Sequence, residues 1–200
     1  MKRRFFLPAA VLSCVAAATT AFSDDVDDGL YDAPPPEDAG FVRFVGYETL
    51  DAPDLFGLSI PDDLLASQDY LVVSAANHEG LEAGQYVTII PGRDTAPIIH
   101  VEPARNREKV LATLINLSPA EAISLKTADG KIAVVAPIAP FEIAHREVNP
   151  IAVELAIFDG DAMLGEPSKV IFKRNQHVTY LVGNDGSVSR FTSGFTSNKN

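Results

Sequence analysis

The sequence predicts an all-β protein with two tandem β-sandwich domains of the immunoglobulin-like type, preceded by a signal peptide and a short extended arm. Three observations support this fold class. Short runs rich in β-branched and aromatic residues recur along the chain, with Gly, Pro, Asp or Asn between most of them. Convincing helical periodicity is nearly absent. One segment of the first half also recurs in the second half.

The predicted strands fall into two groups. Those of the first half are Phe41–Val45, Leu55–Ile60, Tyr70–Val73, Tyr86–Ile90 and Ile98–Val101. Those of the second half are Val110–Leu117, Ile123–Thr127, Ile132–Ala136, Phe141–Val148, Ile151–Phe158, Lys169–Phe172 and Val178–Val182. The pairs Asp129-Gly130 and Asp159-Gly160 predict tight hairpin turns, because Gly accepts a positive φ and Asp tolerates one. Single helical turns are expected only at 61–65 and 118–121.

An internal repeat is the strongest organisational signal. Segment 85–94 aligns with segment 176–185 at an offset of 91 residues, and Gln, Val, Thr, Gly and Asp are identical in both. Two explanations stay open. The second half is a duplicate of the first with an extra strand pair near 143–158, or two β-hairpins are similar by chance. Duplication predicts a domain boundary near 103–106, where polar residues interrupt the strand pattern.

The N-terminal segment predicts export. Met1–Arg4 is basic, 5–22 is almost entirely apolar or small, and small residues stand where signal peptidase recognises its substrate. We predict a signal peptide over 1–23, cleaved after Ser23. A membrane anchor is disfavoured because polar residues interrupt the apolar run, and a span needs roughly 20 apolar residues. The pair Arg3-Arg4 keeps the twin-arginine route open beside ordinary Sec export.

The rest of the chain divides into four predicted intervals. An extended N-terminal arm spans 24–39 and includes three consecutive prolines, which favour an extended path without ladder donors. The first β-sandwich covers 40–104, the second with its extra hairpin covers 105–191, and a flexible C-terminal tail covers 192–200. The arm is either a disordered leader or a docking arm anchored through Leu30-Tyr31.

Charge and cysteine content limit the classes of partner. Removal of 1–23 takes away three of the 16 basic residues, leaving 13 Lys and Arg against 27 Asp and Glu, a net charge of −14. A chain this acidic repels nucleic acid and anionic membrane surfaces. The one cysteine, Cys14, lies within the predicted signal peptide. Apolar burial, rather than disulfides, must therefore stabilise the exported chain.

No sequence motif predicts a catalytic, cofactor-binding or metal-binding residue. The Gly-x-Ser-x-Gly nucleophile motif is absent, and Ala162 occupies the nucleophile position of an esterase-like Gly-Asp segment. The histidines are His78, His100, His145 and His177. They lack the spacing of zinc ligands, and surface or loop positions are expected for them. Catalytic side chains can meet in space without a local motif, so the enzyme class stays open, with a non-enzyme favoured.

Basic residues are unevenly distributed for so acidic a chain. One group surrounds the predicted domain junction and another lies on the last predicted hairpin: Arg93, Arg105, Arg107 and Lys109, then Lys169, Lys173, Arg174 and His177. They indicate either a locally positive cleft between domains or scattered surface charge. Arg43 shares a strand face with Phe41 and Val45, which is typical of an edge residue whose guanidinium reaches water.

Three groups of residues point to a known family. They are Leu30–Pro34 with Gly40–Arg43, then Ile123–Lys131, and finally Arg146–Pro150 with Leu155–Gly160. Together they resemble the alginate biosynthesis protein AlgF family. The resemblance implies a periplasmic protein with two β-sandwich domains that is required for O-acetylation of the mannuronate residues of alginate. It also implies two kinds of partner, a membrane-bound O-acyltransferase and the periplasmic alginate acetyltransferases, and no catalytic motif.

The favoured hypothesis is therefore a non-enzymatic adaptor of the alginate-acetylation machinery, with at most weak contact with the polymer. Two alternatives stay open: an acetyl-relay enzyme with a transient covalent acetyl intermediate, and an exported carbohydrate-binding module. The absence of Trp counts against the module. The predicted partner-binding residues are Leu30, Tyr31, Arg43, Arg105, Arg107, Arg146 and Asn149.

Overall fold

A computed structural model describes residues 35–47, 56, 58, 60, 62–94 and 96–197. In the first half, the described elements are β1 (Ala39–Phe44), α1 (Asp62–Ser67), β2 (Tyr70–Ser74), a 3-10 helix (Ala75–Asn77), β3 (Tyr86–Ile90) and β4 (Ile98–Val101). Those that follow are β5 (Val110–Asn116), β6 (Ile123–Thr127), β7 (Ala133–Ile138), β8 (Glu142–Val148), β9 (Ala152–Asp159), β10 (Ala162–Ile171), β11 (His177–Val182), β12 (Val188–Thr192) and β13 (Phe195–Ser197). The all-β prediction is confirmed. Within these ranges no helix has the length and apolar character of a membrane span.

The strands form three sheets. The first sheet has the order β13-β2-β1-β3-β4, the middle sheet β12-β11-β5-β8, and the third sheet β10-β9-β6-β7. The middle and third sheets face each other as in a β-sandwich and enclose the largest apolar core, which includes Leu114, Leu125, Ile157 and Tyr180. The described strands of the first half instead form a single sheet. The tandem immunoglobulin-like arrangement is therefore not confirmed.

The first sheet buries both of its faces. On one face, Leu64 and Leu65 of α1 pack with Phe44, Leu71 and Ile89. The helix coincides with the helical turn predicted at 61–65, whereas most of the strand predicted at 55–60 lies outside the described residues. The other face meets the middle sheet, where Val45 and Ile90 pack against Ile115, Leu117 and Leu181.

The two repeat segments occupy equivalent positions. Strand β3 pairs in parallel with β1 and antiparallel with β4, and β11 likewise pairs in parallel with β5 and antiparallel with β12. The neighbours β2 and β8 are antiparallel to β1 and β5. The repeated residues Thr88 and Thr179 are both fully buried. Two four-strand units of the same topology thus face each other. They repeat a single sheet and not a whole sandwich, and β8, which begins the extra strand pair predicted near 143–158, is the counterpart of β2.

The C-terminal end of the described chain returns to the first sheet. The sequence predicts a flexible tail at 192–200, but Phe195–Ser197 form β13 and pair in parallel with Tyr70–Val72. The Phe195 ring explains this placement, since its centroid lies 5.5 Å from that of Phe41 and 5.9 Å from that of Tyr70. The boundary between 40–104 and 105–191 stays a prediction, and it falls in the segment between β4 and β5.

The turn after β1 gives a test of the packing between the first and middle sheets. Gly46 has a φ of +82°, and a Cβ atom placed there would lie 2.4 Å from Cδ1 of Leu117. We expect Gly46→Ala to lower the free energy of unfolding by about 2–3 kcal/mol, because backbone strain and overpacking add. Gly160→Ala is the control, since Gly160 has a φ of +59° but open space around it, and about 1 kcal/mol is expected there. Urea titration measures both, and equal losses would contradict the steric argument.

Candidate functional site

A buried polar network lies between the first and middle sheets, with apolar clusters at both ends. Strand alternation sends Arg43 of β1 and Thr88 of β3 to one side of this interface, and Thr113 of β5 and Thr179 of β11 to the other. The prediction of Arg43 as an edge residue is wrong. Its strand lies between β2 and β3, and its side chain is fully buried.

Arg43 connects the two sheets through its guanidinium. Its Nε donates to Thr88 Oγ1 at 2.8 Å within the first sheet. Its Nη1 donates across the interface to Thr179 Oγ1 at 2.9 Å and to Ser193 Oγ at 2.8 Å. Five donors in a planar fork allow one side chain to satisfy several acceptors in this way. The guanidinium therefore fixes the position of the middle sheet against the first sheet.

Glu102, just after β4, supplies the negative charge of the network. Its Oε1 lies 3.1 Å from Nη2 of Arg43, and its Oε2 lies 2.9 Å from Nη2 of Arg105. Tyr70 donates to Oε1 at 2.6 Å, and Thr88 also donates to this oxygen. Burial by itself raises the pKa of Glu102, but the two guanidiniums and the two hydroxyl donors outweigh burial and lower it. Glu102 is thus a buried carboxylate that stays charged.

His177, at the start of β11, lies beside Tyr70 and Arg105 in the network. Its Nδ1 lies 3.0 Å from Arg105 Nη2 and 2.8 Å from the Tyr70 hydroxyl, and its Nε2 lies 2.7 Å from Thr113 Oγ1. Its Nε2 also lies 3.4 Å from Nη2 of Arg43. Burial, reinforced by the charges of Arg43 and Arg105, holds the pKa of His177 well below its usual value. His177 is therefore neutral.

A chain of hydrogen bonds leads from His177 toward the edge of the interface. Thr113 Oγ1 lies 2.7 Å from Nδ1 of His145, and His145 Nε2 lies 2.8 Å from Nε2 of His100 on β4. Burial lowers the pKa of His145 to about 4 and also lowers that of His100. The expectation of surface or loop positions is therefore wrong for these three histidines, because cross-sheet packing brings together residues that are far apart in sequence.

The buried polar network is well suited to holding the first and middle sheets together and poorly suited to transferring a chemical group. The hydroxyls of Thr88, Thr113 and Thr179 are fully buried, and His177 is 5% exposed. Each of these groups already has a hydrogen-bond partner inside the network. In the part of the chain that the structure describes, no group of three or more His, Cys, Asp or Glu side chains is arranged to hold a metal ion.

One end of the network opens into a surface cleft of about 540 Å³, called the arginine cleft below. Its lining includes Tyr70, Tyr86, Arg105, Arg107, His177 and Phe195. The Arg105 guanidinium lies 4.2 Å from the centre of the Tyr86 ring, and Tyr86 stacks on Phe41 at 4.3 Å. A second cleft, of about 770 Å³, lies elsewhere on the molecule and includes Arg93, Phe141 and Leu181.

The structure brings together only some of the residues predicted to bind partners. Arg105 and Arg107 line the arginine cleft together. Arg43 contributes no surface, and Arg146 on β8 and Asn149 after it are exposed but do not line this cleft. The predicted positions Leu30 and Tyr31 lie outside the described residues. Of the two explanations for the basic groups, a locally positive cleft applies to Arg105 and Arg107, whereas Arg93 lies in the second cleft.

Sequence analysis did not identify the centre of the network. Tyr70, Thr88, Glu102 and Thr113 carry no motif, and Glu102 stands in a polar stretch that indicates a linker. One usable signal was present: the repeat aligns Thr88 with Thr179 at the same strand position. A hydroxyl repeated between apolar neighbours indicates a buried polar layer rather than a solvent face.

The chain is similar in sequence to known proteins over most of its length. A family model described as "Alginate O-acetyl transferase AlgF" matches residues 72–179. The chain is 31% identical to the alginate biosynthesis protein AlgF of Pseudomonas fluorescens over 85% of its own length and 83% of that protein. It is 28% identical to AlgF of Pseudomonas aeruginosa, with 89% of both chains covered. A solved structure of the C-terminal domain of Pseudomonas aeruginosa AlgF is 36% identical, with a TM-score of 0.38, and the match covers 43% of this chain and 97% of that one.

Proposed function

Because the chain belongs to the AlgF family, we propose that it is a periplasmic adaptor required for O-acetylation of the mannuronate residues of alginate. Its proposed partners are a membrane-bound O-acyltransferase and the periplasmic alginate acetyltransferases, with at most weak contact with the polymer. Export through a signal peptide over 1–23 belongs to the same proposal, and that segment lies outside the described residues.

Burial of the polar network is the observation that favours an adaptor over an acetyl relay. A relay needs a nucleophile that approaches the acetyl donor to about 3–3.5 Å. Thr113 and Thr179 are fully buried, and His177 is bonded on both ring nitrogens. An acetyl donor would have to separate the first and middle sheets to reach them. The network instead holds these sheets in one fixed arrangement, which suits a protein that presents docking surfaces.

The outer surface offers edges for docking. Strand β4 is an edge of the first sheet, and its side chains Ile99 and Val101 are about half exposed, at 48% and 54%. An exposed strand edge can accept an additional strand from a partner, with main-chain hydrogen bonds supplying affinity. Apolar side chains at such an edge add the burial that a stable complex needs. These features support contacts with other proteins.

A genetic experiment tests the requirement for this chain in alginate acetylation. In an alginate-producing strain that lacks its gene, we expect the polymer to be made with at least a tenfold lower O-acetyl content. Plasmid-borne wild-type chain should restore acetylation, because the transferases would again be assembled. Proton NMR of the purified polymer measures acetyl groups per uronate residue. Normal acetylation in the deletion strain would contradict the proposal.

A second measurement separates the adaptor from the relay. Purified chain is incubated with an activated acetyl ester such as p-nitrophenyl acetate, and its intact mass is recorded. The adaptor proposal predicts no stoichiometric adduct on a side chain of the network. A stable acetyl group mapped to Thr113 or His177, and removed by transfer to a mannuronate acceptor, would establish the relay instead.

A further inference from the structure

The arginine cleft differs in charge from the rest of the molecule. The full chain carries a net charge of −11, yet Arg105 and Arg107 both line this cleft. Glu102 is the carboxylate beside them, and it must balance Arg43 as well as Arg105. The charges of Arg43 and Arg105 against one carboxylate leave the network with one excess positive charge, to which Arg107 adds a second. The cleft therefore attracts anionic groups.

Arg105 retains hydrogen-bonding capacity that the chain itself does not use. Its hydrogen-bond contacts with Tyr70, Glu102 and His177 all involve Nη2. Its Nε is buried and has no hydrogen-bond partner among the described residues. The side chain is 17% exposed, and the ring of Tyr86 beneath it holds the guanidinium plane in place. The exposed part of a guanidinium held in this way, which lines the cleft, is a receptor for a carboxylate.

The same cleft has an apolar side. Phe195 is 58% exposed, and its ring meets those of Phe41 and Tyr86 edge-on, at 5.5 Å and 6.4 Å between centroids. Its strand β13 is the other edge of the first sheet, so one side of that strand pairs with no described strand. An occupant can thus place an apolar side chain on Phe195, a carboxylate near Arg105 and Arg107, and its main chain along β13.

We propose that the arginine cleft is the docking site for a short acidic segment of a partner protein, one with carboxylate side chains next to an apolar residue. This inference rests on the proposed adaptor function and names the surface that performs it. A protein segment fits better than the anionic polymer for two reasons. The exposed Phe195 ring meets Phe41 and Tyr86 edge-on and so does not extend their stack into a flat platform for sugars, and a long polyanion would also meet the negative surface beyond the cleft.

The test uses the purified exported chain and a purified periplasmic alginate acetyltransferase, with affinity measured by biolayer interferometry. We expect Arg107→Glu to weaken binding by about tenfold and to reduce its salt dependence, because the charge of the cleft is lost. Phe195→Ala should weaken binding by a similar factor through loss of the apolar contact.

Arg93→Glu is the matched control, since it makes the same charge change in the second cleft, and we expect less than a twofold effect. Circular dichroism verifies that each variant is folded.

Photo-cross-linking identifies the occupant. With p-benzoylphenylalanine at position 195, we expect a cross-link to an acidic segment of the acetyltransferase that disappears when Arg107→Glu is added. Wild-type affinity in folded Arg107→Glu and Phe195→Ala variants would overturn the cleft proposal and leave the adaptor function standing. A wild-type chain that does not bind the acetyltransferase would overturn both. Saturable binding of oligomannuronate that Arg107→Glu abolishes would assign the cleft to the polymer instead.

Discussion

Glu102→Gln should lower the free energy of unfolding by about 3–5 kcal/mol, the range found when one partner of a buried ion pair is removed. The substitution keeps the shape of the side chain and an acceptor oxygen for Tyr70. It removes the only carboxylate that balances Arg43 and Arg105 in the described network, and Arg43 has no exposed surface. The uncompensated guanidinium is then held away from water. Denaturant titration at pH 7 measures the loss.

The matched control is Glu108→Gln. Glu108 Oε2 lies 3.1 Å from Nη1 of Arg174, the same separation as the Arg43–Glu102 pair, but both side chains are about 70% exposed. Exposed pairs contribute roughly 0–1 kcal/mol, so this variant should remain close to wild type. Similar losses for the two variants would show that burial does not govern the strength of the pair, and would remove the basis for treating the network as the connection between the sheets.

The strands were the predictable part of this protein. The predicted strands 86–90 and 110–117 correspond to β3 and β5 with a difference of one residue at most, because strand formation depends on local composition and alternation. The repeat also indicated the equivalent placement of β3 and β11. Sheet partners were less predictable, since β13 pairs with β2 although the partners Tyr70 and Phe195 are 125 positions apart in the sequence.

The network was not predictable from one sequence. His177 lies 134 residues from Arg43, and Thr113 lies 64 residues from His177. Their meeting depends on how two sheets stack, and no spacing rule for histidine or arginine encodes it. The physical preference for solvating a guanidinium led to the prediction of an edge position for Arg43. That preference was outweighed because Glu102 and the hydroxyls of Thr88 and Thr179 supply the polar environment inside the protein.

As the pH is lowered, the free energy of unfolding should begin to decrease near pH 6.5, well above the pH range in which carboxylates titrate. His100, His145 and His177 all have pKa values below the usual 6.5 in the folded protein, with that of His145 at about 4. Between pH 6.5 and 4.5 the unfolded chain therefore binds more protons than the folded chain, so acid favours unfolding. A fully shifted histidine contributes about 1.4 kcal/mol per pH unit. We expect a loss of roughly 4 kcal/mol or more between pH 7.5 and 5, measured by denaturant titration.

The substitution His145→Gln measures the contribution of one histidine to this pH dependence of stability. At pH 8 the histidines are neutral in both states, so the difference from wild type reports only packing and hydrogen bonds to Thr113 and His100. Between pH 6.5 and 4.5 the slope of stability against pH should be smaller than that of wild type by about one proton. Glu102 also has a lowered pKa, but its contribution is lost only below about pH 4.5, so it does not produce this slope. If the stability of the wild-type protein did not change between pH 6.5 and 4.5, the folded protein would have to bind protons on these histidines as readily as the unfolded chain. The positive charges of Arg43 and Arg105 near His177 oppose such protonation.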